Sequence, residues 1–114
     1  MTLKYLSNNK LQAITNTLSN EAFGNPYPYS IIFVDPKEVN TAKFYPYAEI
    51  PEGHEDECII EVSKKMRHSS IENFILCLLY CLYQYNAWWR GVEPTDYSIT
   101  RAELNNYIDI LKNI

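Results

Sequence analysis

Residues 69–89, SSIENFILCLLYCLYQYNAWW, contain the reading that decides the fold. Ser69 with Glu72 matches a capping box, in which the Ser hydroxyl accepts a first-turn amide and the Glu reaches back to the Ser N–H. The helix it opens should run from about Ile71 to about Trp89, apolar nearly all round from Phe74 to Tyr83. A helix apolar on every side is a buried one, so this segment is expected to be the central helix. Its ten-residue apolar stretch is too short to span a bilayer.

Outward from this helix, three short segments read as strands. Ser30 to Val34 is a β-branched and aromatic run closed by the turn dipeptide Asp35-Pro36. A second strand is expected within Ala42 to Ile50, with Pro46 inside it, which implies an edge position or a bulge. Cys58 to Val62 reads as the third, after a loop from Glu52 to Glu57. Before them, Ser7 or Asn8 can cap a helix whose Leu11, Ile14 and Leu18 recur at helical spacing, and Gly24 can stop it. Asn25-Pro26-Tyr27-Pro28 is a stiff extended connector. After the central helix, Thr100 with Glu103 repeats the capping box ahead of a stripe of Leu104, Tyr107, Ile108 and Leu111. The expected fold is α+β, one domain over residues 1–114, in the order α-β-β-β-α-α, with a small antiparallel or mixed sheet packed on the central apolar helix.

Composition excludes several classes of function. With 46% apolar and 21% charged residues the chain is an ordinary globule, and its three glycines leave no room for a Gly-rich phosphate loop. The net charge of −4 argues against direct nucleic-acid binding, which draws most of its affinity from neutralised phosphates. No membrane association is expected. The Met1 to Lys4 start leads into no apolar run of signal-peptide length, and three cysteines cannot all pair internally, so a reducing cytoplasm is the expected compartment. The histidines, His54 and His68, stand in no nucleophile or phosphate motif.

The cysteines allow two readings. His54 and Cys58, then Cys77 and Cys81, form two pairs with three-residue gaps, a ligand set compatible with tetrahedral zinc. The other reading packs Cys77 and Cys81 as small hydrophobes inside the buried helix, with no cofactor, and it is the one adopted. Helix, three strands and a capped helix bearing Cys77-Leu78-Leu79-Tyr80-Cys81 resemble, as a pattern of elements over about Lys10 to Gly91, the minimal zinc-metallopeptidase scaffold of SprT-like peptidases. The resemblance implies a helix carrying His-Glu-x-x-His, but here Cys77 and Cys81 would occupy the histidine positions and Leu78 that of the glutamate. It therefore implies a scaffold without its general base, reused for binding, and no catalytic residue.

Charge and aromatic content point to a protein partner. From Asp35 to Glu61 there are eight acids and two lysines, and Glu49, Glu52, Glu55, Asp56 and Glu57 crowd into nine residues. Such a stretch reads either as a solvated loop or as a face that docks on a basic, nucleic-acid-binding host protein. Calcium is not expected there, since the EF-hand spacing and glycine are missing. Lys64, Lys65, Arg67 and His68 read as a solvated turn or a counterweight to the acids. Tyr27, Tyr29, Tyr45 and Tyr47 flank prolines, and Trp88-Trp89-Arg90 closes the central helix with residue types that dominate interface hot spots. The expected function is a non-catalytic protein-binding module, an inhibitor or adaptor of phage or mobile-element type acting against a host enzyme or defence complex. Its contact residues would be the five acids with Tyr45, Tyr47, Trp88, Trp89 and Arg90. A zinc-binding or divergent peptidase-like protein, and a structural protein that associates with itself, are the competing classes.

Overall fold

The computed structural model of the protein describes residues 3–46 and 58–112. The Ser7 hydroxyl accepts the Lys10 amide at 3.2 Å and opens α1 (Asn8–Phe23). Leu11, Ile14 and Leu18 form the buried face of α1, and Gly24 ends it at φ 67°, a left-handed conformation that a side chain would strain. The connector that follows is anchored by Tyr27. Its N–H donates to Asn16 Oδ1 at 3.1 Å and its hydroxyl to the Ser30 carbonyl at 2.6 Å, so the ring can be buried without orphaned polar groups.

The sheet has three strands, β1 (Ser30–Val34), β2 (Ala42–Tyr45) and β3 (Ile59–Ser63), in the order β1-β3-β2. β3 runs parallel to β1 and antiparallel to β2, so the sheet is mixed. All five residues of β3 are buried, as its central position requires. Ile31 opposite Ile60 and Phe33 opposite Val62 face the helices, joined from the other side by Phe44. On the reverse face Ile32, Glu61 and Lys43 stand in register.

Two expectations on the strands need adjustment. β2 ends at Tyr45, so Pro46 follows the strand instead of interrupting it, and β2 lies at an edge as a nearby proline requires. β3 begins one residue later than expected, at Ile59.

A 3-10 helix, Lys64–His68, intervenes before α2 (Ile71–Trp89) and shifts its cap. Ser69 closes the 3-10 helix, its N–H and hydroxyl both donating to the Met66 carbonyl. Ser70, not Ser69, is therefore the cap, accepting the Asn73 amide at 3.2 Å. α2 packs on α1, on β2 and on α3 (Arg101–Leu111), and α3 carries the expected reciprocal box between Thr100 and Glu103. Leu104, Tyr107 and Leu111 bury the inner face of α3. Among the described residues no helix is long and apolar enough to cross a membrane.

Candidate interaction surface

Packing leaves one strip of α2 uncovered. Leu76 and Tyr80, four residues apart and so on one face, are 38% and 51% exposed, with Cys77 half-buried beside them. The helix that its sequence makes apolar nearly all round is thus enclosed on three sides and open on the fourth. Toward its C-terminal end the same side carries Gln84 and Trp88, which reach an open hollow of about 550 Å³. Phe44 of β2 and Pro46 just after it wall the hollow on one side, and Val92 and Pro94 wall it from the chain beyond α2.

The way α2 ends builds that last wall. The Gly91 N–H donates to the Trp88 carbonyl at 3.0 Å and the Val92 N–H to the Ala87 carbonyl at 2.9 Å, with Gly91 at φ 69°. This is the Schellman pattern, and it turns residues 92–94 back along the helix. The returning chain is then stapled down. Tyr83 Oη and Thr95 Oγ1 lie 2.8 Å apart, the Thr95 N–H donates to Tyr83 Oη at 3.1 Å, and the rings of Tyr83 and Tyr97 stack at 4.8 Å. The side-chain hydrogen bond with Thr95, supported by its N–H, draws the Tyr83 phenol below its ordinary pKa.

The paired tryptophans divide their roles. Trp88 is half-buried, its ring 6.0 Å from that of Phe44 and 6.3 Å from that of Tyr85. Tyr85 in turn meets Tyr27 edge-to-face at 4.9 Å, so Trp88 rests on a cluster of aromatic rings. Trp89, about 100° further round the helix, is 57% exposed, and Val92, three residues on, is 58% exposed. Arg90 caps the helix and donates from Nε to the Asn86 carbonyl at 3.2 Å.

The structure therefore brings Trp88, Trp89 and Arg90 together at one helix end and separates Tyr45 from them. Tyr45 lies on the reverse face of the sheet, since its neighbour Phe44 faces α2. There Lys43 Nζ lies 4.7 Å from its ring centre. Burial first, then a hydrogen bond with Glu61, raises its phenol pKa. Tyr47, Glu49, Glu52, His54, Glu55, Asp56 and Glu57 lie outside the described residues. Leu76, Tyr80, Phe44, Gln84, Val92 and Pro94 escape a reading by local motif, although Gly91 followed by Pro94 is the signal of a helix stop and a returning chain.

Cys58 and Cys81 are buried, Cys77 is half-buried, and no three His, Cys, Asp or Glu among the described residues form a group that could hold an ion. Burial, and then the neighbouring Cys77, push the Cys81 thiol up to about 12, and burial raises Cys77 as well, the opposite of a reactive thiolate. Leu78 is fully buried. No protein-family model, curated protein or solved structure matches the chain.

Proposed function

We propose that the protein is a non-catalytic binding module, an inhibitor or adaptor, that docks on another protein through the outer strip of α2 and the hollow at its end. The supporting observation is Tyr80, 51% exposed on the α2 strip that continues through Gln84 to a hollow backed by Trp88 and Phe44. An exposed aromatic on an apolar strip costs solvation, and such a side chain leading into a preformed depression is the usual composition of a binding hot spot. Leu76 extends the strip along the helix, and Trp89, 57% exposed, adds an indole on another side of the same helix end. The five acids between Glu49 and Glu57 favour a basic partner through complementary potential.

The test is affinity capture with the intact protein and with a Leu76→Ala/Tyr80→Ala variant. Both positions are exposed, so the variant should keep the wild-type melting temperature while losing at least tenfold in partner affinity, as expected for hot-spot truncation. Equal retention of the same protein by both forms would overturn the reading. A mass that rises with concentration in the wild type alone would instead make the strip a contact between copies of this chain.

A further inference from the structure

The chain's cations gather at the end of the fold opposite the hollow. The 3-10 turn Leu3–Tyr5 packs against the 3-10 helix Lys64–His68. Arg67 fastens the two by donating from Nε and Nη2 to the Leu6 carbonyl at 3.1 and 2.8 Å. α1 starts just after the first of these turns and α2 just after the second, so the partially positive N-termini of both long helices lie at this end. Lys65 Nζ reaches across to Asn40 Oδ1 in the connection between β1 and β2.

The resulting charge is strongly uneven. This end carries Lys4, Lys10, Lys37, Lys64, Lys65 and Arg67 against Asp35, Glu38 and Glu72, six minus three or +3. With −4 for the whole chain, the remainder holds −7. The one ion pair among the described residues joins Lys112 to Asp109, so no carboxylate contact neutralises a lysine here. α1 has no acid in its first turn. At the same end Tyr5 is 79% exposed, with Lys4 Nζ 5.4 Å from its ring centre.

We infer that this end binds the backbone of a single-stranded nucleic acid, with Lys4, Lys10, Lys64 and Lys65 on phosphates and Tyr5 as a stacking face for one base. Affinity for a polyanion follows the local density of unpaired cations, because counterion release is a local event, and an acidic total does not cancel it. A bare aromatic ring among lysines is what an unstacked base seeks, and duplex DNA offers no such base. An anionic bilayer calls for a wider apolar face, and among the described residues Tyr5 is the one large apolar side chain exposed in the two 3-10 turns. The inference shares no residue with the docking strip, so either can fail alone.

The probe is a fluorescein-labelled oligothymidine of about 15 nucleotides, titrated with the full chain and read by anisotropy. Saturable binding is expected at about 50 mM salt, weakening about 50-fold by about 200 mM, as four phosphate contacts on a single strand require. Lys64→Glu/Lys65→Glu should lower affinity at least tenfold with an unchanged circular dichroism spectrum, both side chains being exposed. Tyr5→Ala should lower it about fivefold or more at an unchanged salt slope, and Trp89→Ala should leave it intact. No saturable binding at the lower salt would overturn the inference. So would equal binding by the double lysine variant, loss of binding in Trp89→Ala, or binding to phosphatidylserine vesicles in place of the oligonucleotide.

Discussion

Asn86 shows how a single polar side chain can be buried in α2 without penalty. Its Nδ2 donates to the Leu82 carbonyl at 2.8 Å and to Ser19 Oγ at 3.4 Å, and its Oδ1 accepts from Asn25 Nδ2 at 3.1 Å. Ser19 Oγ donates onward to the Asn25 carbonyl at 2.5 Å, tying α1, the connector and α2 into one network. Asn86→Leu strands these partners in the core and should cost about 1–3 kcal/mol, read as a lowered urea midpoint. A loss much below that range would mean that water replaces the amide. The thiols and phenols make a second prediction. Cys81, buried, and Tyr97, half-buried, are both held up to about 12 and stay protonated in the folded chain, whereas the unfolded groups ionise near 9 and 10. The stability they contribute is complete below about pH 9 and is lost as pH rises toward 12. The urea midpoint should fall steadily from pH 9 to 11, and a flat profile would contradict the burial of Cys81.

At the level of elements, what could be read in advance was what is encoded locally. Ser7, Gly24, Thr100 and Glu103 set helix ends through bonds to their own first or last turns, so sequence alone locates them. The same reasoning misplaces the cap of α2 by one residue, because the 3-10 helix that claims Ser69 leaves no periodic trace in Lys64 to His68. Ser70→Ala should therefore lower stability by about 1 kcal/mol. Ser69→Ala should leave helix content at that end unchanged. Equal effects in thermal unfolding would restore Ser69 as the cap. Strand order was beyond reach, since pairing β3 between β1 and β2 depends on residues far apart in the chain. The candidate surface was half legible. Trp88, Trp89 and Arg90 announce themselves by type, while the hollow needs β2, the end of α2 and the returning chain brought together.

Taken whole, the molecule separates its two kinds of surface. The hollow lies at the C-terminal end of α2, with the uncovered strip running to it from Leu76, and the lysine-rich turns lie at the N-terminal end. Charge reversal at Glu55, Asp56 and Glu57 should slow association with a basic partner about tenfold or more at low salt while leaving the melting temperature unchanged. Stopped-flow association would show this, and an unaltered rate would remove the acids from the docking face. The sheet adds a consequence in time. Among the described residues β1 and β2 each pair as strands only with β3, which follows them in the chain, so during synthesis neither has a strand partner until residue 63 has left the ribosome. Until then two strand edges stand open to other chains, a condition under which nascent proteins aggregate or recruit chaperones. Closure of the fold is thus a late and abrupt event, governed by the arrival of five residues.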